Sequence, residues 1–184
     1  MTGSPKSKVR THMVLETERC ILRCPSHNDA PAMLAVFTSA EFPKDLPLGL
    51  ITSPDQVHGW IDRCQAGWAA GGMYSWVVDL KRDHTLVGQV TLAQLDEPGT
   101  WSLAYWIHPN HWGQGYATEA AKKVLEFGTE KLKATKFWAG TAEWNTSSVR
   151  VLEKLGMLHG SDNPQGYNIK GKPIPTKEFE LTLP

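Results

Sequence analysis

Between Trp112 and Ala120 the chain reads Trp-Gly-Gln-Gly-Tyr-Ala-Thr-Glu-Ala. The small residues at 113, 115 and 117 let the backbone turn tightly and approach a ligand closely. Ahead of them runs Trp101 to Ile107, aromatic and aliphatic, a strand stopped at Pro109. Behind them a helical pattern passes through Ala117, Ala121, Val124, Leu125, Gly128 and Leu132. A strand that enters a glycine turn and leaves as a helix presents unpaired N–H groups at the positive end of the helix dipole. That arrangement suits a phosphate. Gly113, Gln114, Gly115, Tyr116, Ala117 and Thr118 are therefore the expected seat of a phosphorylated ligand. The turn contains neither G-x-G-x-x-G nor G-x-x-x-x-G-K-[ST], so it is not one of the better-known nucleotide loops.

The same stretch resembles motif A of the GNAT acetyltransferase superfamily, (Gln/Arg)-x-x-Gly-x-(Gly/Ala). Gly115 and Ala117 match its last two positions, and Trp112 departs from the basic or amide position. Downstream, Asn145 to Met157 (NTSSVRVLEKLGM) is similar to the N-x-x-S-x-x-v-l-x-K-l-G-F segment of that superfamily. With Leu15-Glu16-Thr17-Glu18-Arg19 and the pair Tyr105-Trp106, the chain resembles the branch typified by ribosomal-protein N-terminal acetyltransferases, the RimJ/RimL-like branch, over residues 14 to 183.

The resemblance implies an α/β GNAT-like acyl-CoA N-acyltransferase fold: a mixed, mostly antiparallel sheet of about seven strands with about four helices. It implies acetyl-CoA as co-substrate, no metal, and an amine acceptor. Amides of residues 113 to 118 would hold the pyrophosphate of coenzyme A. The strand end at Trp106, Ile107 and His108 would pair with pantetheine, and a backbone N–H near Ile107 or His108 would face the thioester oxygen. Asn145 and Ser148 would point at the coenzyme, with Ser148 near the sulfur. Each also has a plainer reading, Asn145 as a helix N-cap and Ser148 as a solvated first-turn serine.

Two positions depart from the family. Leu152 stands where many relatives carry a tyrosine acid, so proton donation to the departing thiolate falls to Ser148 or water. Ser102 stands where this branch often has a glutamate, so Glu143, His108 or a water chain is the candidate base. Glu143 is also readable as a surface carboxylate, and His108-x-x-His111 lacks a third ligand for a metal. By resemblance, residues 41 to 51 and 68 to 74 shape the acceptor pocket, with Phe42, Trp60, Trp68 and Tyr74 and no acidic cluster for a polycationic acceptor.

Composition sets the frame for these elements. The 184 residues are 41% hydrophobic and 21% charged, ordinary for a globular protein, and their formal net charge of zero argues against a nucleic-acid binder that relies on a broad basic field. No run approaches the ~18 apolar residues of a membrane helix, and no signal peptide opens the chain. Cys20, Cys24 and Cys64 fit no metal spacing and read as thiols of a reducing, cytoplasmic compartment. Residues 1 to 12 read as a flexible tail or expression remnant, and residues 13 to 184 as a single N-acetyltransferase domain. Eight tryptophans in a neutral chain raise the expectation of a homodimer.

Along the chain, Val14 to Arg23 reads as a first strand with Leu15, Ile21 and Leu22 apolar. A helix capped by Ser26 runs to Ala40, and Ser53-Pro54 opens another to about Ala70. Strands follow at 74–80 and 86–95, then the strand–turn–helix above, a strand at 137–141, a helix at 146–155 and closing strands. The step from strand 101–107 through the helix to the next strand is the parallel crossover. Two rivals remain: a non-catalytic acyl-CoA-binding or regulatory module of the same fold, and a βαβ nucleotide-binding protein. The second lacks the acidic residue expected about 20 residues after its turn.

Overall fold

The computed structural model describes residues 13–184. The tail assigned to residues 1 to 12 lies outside the described residues. Eight strands form one sheet: β1 (Leu15–Glu16), β2 (Cys20–Arg23), β3 (Met73–Leu80), β4 (Leu86–Gln94), β5 (Thr100–Ile107), β6 (Lys136–Ala142), β7 (Leu158–Ile169) and β8 (Lys172–Thr182). Their order is β1-β2-β3-β4-β5-β6-β8-β7. Every pairing is antiparallel except β5 with β6, the crossover step expected from the sequence.

Four helices accompany the sheet: α1 (Ala30–Thr38), α2 (Pro54–Ala70), α3 (Tyr116–Lys131) and α4 (Thr146–Lys154). The first two cluster with Trp106, Phe37 and Phe42. Helix α3 lies on the core built by Trp76, Leu92, Leu103 and Phe137. It comes close because position 128 is glycine: a Cβ there would stand 2.7 Å from the Phe137 ring.

Two local readings change. The stretch 14–23 is a hairpin, not one strand, which makes the strand count eight. Its turn is held by the Thr17 hydroxyl, which accepts the Cys20 N–H at 2.9 Å. In β2 it is Cys20 and Leu22 that are buried, while Ile21 is half-buried. Past Ser26, a 3-10 turn at His27–Asp29 precedes α1. Asp29 accepts the Ser26 N–H at 2.7 Å and both terminal nitrogens of Arg23, so the turn is tied to β2 before the helix begins.

Of the eight tryptophans that raised the expectation of a dimer, Trp68, Trp76, Trp101 and Trp106 are buried, Trp60 and Trp138 are partly buried, and Trp112 and Trp144 are about half exposed. The three cysteines are free thiols. Burial pushes all three up, Cys24 to about 11, which keeps them as inert thiols. No helix of the described residues is long and apolar enough to cross a membrane.

Candidate active site

The site follows from an interrupted ladder. β5 and β6 pair only from Thr100–Ser102 to Lys136–Trp138, yet β5 runs on to Ile107 and β6 to Ala142. β6 is held along its whole length by β8 on its other side. The two strands therefore splay, and a cleft opens between Leu103–Tyr105 and Ala139–Ala142. Asn145, Ser148 and Leu152 of α4 and Tyr167 of β7 complete its wall.

Ladder alternation decides which backbone groups of β5 face this cleft. The His108 N–H donates to the Val87 carbonyl at 2.8 Å, and Trp106 is opposite Gln89 in the β4 register. Even-numbered residues of β5 thus spend their polar groups on β4, and Leu103, Tyr105 and Ile107 present theirs to the open side. Two of the residues expected at the coenzyme, Trp106 and His108, have their backbone groups on the β4 side. Trp106 turns its backbone to β4 and its side chain to Phe37 and Phe42, with its indole N–H on Gln89. His108 has no backbone N–H to offer, and its Nδ1 accepts from Asn110. Of the three strand-end residues, Ile107 is the one whose N–H turns to the open side.

At the carboxyl end of β5 the chain enters the glycine turn. Gly113 and Gly115 adopt φ +73° and +83°, a left-handed conformation that costs an L-residue about 1–2 kcal/mol. Among the described residues, Gly115, Tyr116, Ala117 and Thr118 donate their N–H groups to no protein acceptor. Glu119 is the first residue of α3 whose N–H is bonded, to Gly115. Four consecutive free donors stand at the positive end of a 16-residue helix. Trp112, in the motif's basic position, donates its indole N–H to the Ile107 carbonyl at 2.7 Å, so it ties the strand end to the turn. The Gln114 side chain donates to Asn110 within the same loop.

Helix α4 starts where β6 ends. Asn145 Oδ1 accepts the Ser148 N–H at 3.1 Å, the N-cap geometry. The Ser148 hydroxyl lies 2.8 Å from the Tyr105 hydroxyl, inside the cleft wall. Burial pushes Tyr105 up to about 12, against the Ser148 hydrogen bond, which lowers it. Tyr167, which no local pattern marked, donates to the Gly140 carbonyl at 2.6 Å and is likewise pushed up by burial. Both phenols stay protonated near neutrality.

Glu143 is exposed just past β6, its N–H on the Pro175 carbonyl, and does not line the cleft. Among the described residues the cleft wall holds no carboxylate. His108 and His111 lie 5.7 Å apart, ring to ring, and no group of three potential metal ligands occurs among the described residues. A larger hollow of about 340 Å³, walled by Leu125, Phe137 and Leu181, lies along the other end of α3. Neither the glycine turn nor the start of α4 lines it.

The fold that carries this site is shared with known proteins. Residues 19–158 match the family model described as an acetyltransferase (GNAT) domain. An uncharacterized N-acetyltransferase of Bacillus subtilis, YoaA, is 28% identical over 174 residues, 93% of this chain and 97% of its own. Among solved structures, Mycobacterium smegmatis RimJ in complex with a CoA disulfide superimposes with TM-score 0.78 at 19% identity, covering 92% of this chain and 86% of its own. RimL, a ribosomal-protein α-N-acetyltransferase in complex with coenzyme A, gives 0.84 at 12%, covering 93% and 98%. The match to the family model spans well over half of the residues, and the chain belongs to the GNAT acetyltransferase family.

Proposed function

We propose that the protein transfers an acetyl group from acetyl-CoA to a primary amine, directly, with both substrates bound together. The observation that carries this reading is the open edge of β5 between two groups of matched chemistry. At one end stand the free amides of Gly115 to Thr118, and at the other the hydroxyl of Ser148. The residues suit acetyl-CoA. The amides and left-handed glycines of the turn suit a pyrophosphate, and the backbone of Tyr105 together with the N–H of Ile107 suits the amides of pantetheine.

The residues then divide the reaction as follows. The Ile107 N–H donates to the thioester oxygen and strengthens that bond as the oxygen becomes an oxyanion, which is a large term in acyl transfer. The acceptor nitrogen attacks the thioester carbon, the C–S bond breaks, and the thiolate takes a proton through Ser148 or water. A thiol with a parent pKa of about 8.5 leaves easily, so little acid strength is required. The nitrogen gives up its proton to water or, through water, to Glu143 just past β6, since no carboxylate lines the cleft among the described residues.

The acceptor is an α-amino group of a protein or peptide, or a small-molecule amine; the names of RimJ and RimL favour the first class. The bare cleft wall also favours a second reading, a non-catalytic acyl-CoA-binding module. Release of free thiol from acetyl-CoA, followed against a panel of amines and N-terminal peptides, separates the two. Turnover with any acceptor removes the binding module, and coenzyme binding without turnover anywhere removes the transferase.

A further inference from the structure

We propose that Arg19, from the β1–β2 turn, is the positioning residue that aims the phosphate-binding amides. The proposal rests on reading residues 113 to 118 as the pyrophosphate seat. Arg19 reaches across about 95 residues of chain to grip both sides of the glycine turn. Its Nη1 donates to the Gln114 carbonyl at 3.0 Å. Its Nε and Nη2 clasp Oε2 of Glu119 at 2.7 and 2.6 Å, and its plane lies 4.3 Å over the Tyr116 ring. The other Glu119 oxygen accepts the Arg19 N–H at 2.9 Å and the Thr17 hydroxyl at 2.6 Å.

The consequence lies in the Gln114–Gly115 peptide. A trans peptide is planar, with its C=O and N–H pointing in opposite directions. Holding the Gln114 carbonyl on Arg19 therefore points the Gly115 N–H away from Arg19, toward the face where the next three free amides open. Glycine at 115 permits the required φ of +83°, but permits many others as well. The guanidinium fork selects one of them. It also cancels a charge: Glu119 stands in the first turn of α3, where an unpaired carboxylate would repel a phosphate held by the same amides. With Trp112 in the position where the motif carries a basic residue, Arg19 brings the guanidinium from behind the turn instead of beside it.

The test compares ligands with and without phosphates. Calorimetry measures coenzyme A and pantetheine on wild type, Arg19→Met and Arg19→Lys, with melting temperature recorded for each. Wild type should bind coenzyme A much more tightly than pantetheine. Arg19→Met should weaken coenzyme A about tenfold, the equivalent of one net hydrogen bond, and leave pantetheine unchanged. Arg19→Lys keeps the charge but not the fork, and should also lose discrimination. It serves in place of Arg19→Met if that variant does not fold. Equal affinities of wild type for the two ligands would overturn the phosphate seat itself. Discrimination retained in both variants, or an equal loss for both ligands, would overturn the role of Arg19 and leave the seat standing.

Discussion

The Tyr105 hydroxyl lies 2.8 Å from the Ser148 hydroxyl and 3.1 Å from the Ser148 carbonyl oxygen. One phenolic proton faces two acceptors. If it goes to the carbonyl, the serine must donate back to tyrosine and turns from the cleft. If it goes to Oγ, the serine proton is free to point at a sulfur. A tyrosine on β5 thus controls the hydroxyl that α4 offers, although the helix position of the familiar tyrosine acid is Leu152. Ser148→Ala should lower kcat about 10- to 100-fold, the low end of general-acid effects, with little change in acetyl-CoA affinity. Tyr105→Phe should lower kcat by less, and the double variant by no more than Ser148→Ala alone. Steady-state kinetics on the three proteins decides it, and an unaltered kcat in Ser148→Ala leaves bulk water as the acid. Because Tyr105 is pushed up to about 12, it should give kcat no alkaline limb below about pH 10.

Gly115→Val should abolish coenzyme A binding. Valine would have to adopt φ +83°, and a Cβ there lies 3.4 Å from Arg19 Nη2. The far-ultraviolet dichroism should stay intact, because α3 begins after this residue. Wild-type affinity by calorimetry in this variant would dismiss the turn as the phosphate site.

Asn145→Ala removes the acceptor of the Ser148 N–H and leaves the start of α4 uncapped. The expected loss is about 1 kcal/mol in denaturant unfolding, with coenzyme A affinity falling more than kcat. A drop in kcat alone would assign Asn145 to the chemistry instead.

Gly128→Ala sets two effects against each other. Alanine gains about 1 kcal/mol of helix propensity, but its methyl would meet the buried Phe137 ring at 2.7 Å and Leu92 at 3.1 Å. Overpacking of that kind costs about 1–3 kcal/mol, so the variant should be less stable than wild type. An increase in melting temperature would mean that the helix can lift from the sheet without loss.

The Glu119 carboxyl gives a pH signature. Burial pushes it up, but hydrogen bonds from Thr17 and from the Arg19 amide and guanidinium outweigh burial and hold it below its ordinary 4.5. A depressed carboxylate contributes stability that is fully present above the unfolded value and is lost as pH falls through the folded one. The melting-temperature difference between wild type and Glu119→Gln should therefore be constant above about pH 5.5 and should close below about pH 4. A difference that instead grows toward low pH would contradict the pairing.

Features that depend on a few adjacent residues were legible in the chain. The glycine turn, the helix after it, the Pro54 helix start and the Asn145 cap each arise from backbone restrictions that neighbouring residues impose. The parallel crossover followed from their order, because a strand, a helix and a strand in sequence pack in few ways. What needed the tertiary structure was every relation set by which groups the sheet leaves unpaired. Trp106 and Ile107 look alike as strand-end residues, but ladder alternation gives one to β4 and the other to the cleft. Arg19 sits in the three-residue turn of a hairpin that a ten-residue strand pattern conceals, and only the packing of α3 beside β1 and β2 brings its guanidinium to Gln114. Tyr105, Ser148 and Tyr167 come from three elements whose meeting depends on where β5 and β6 part. That point is decided by β8 holding β6, and no neighbour of those residues in the chain encodes it.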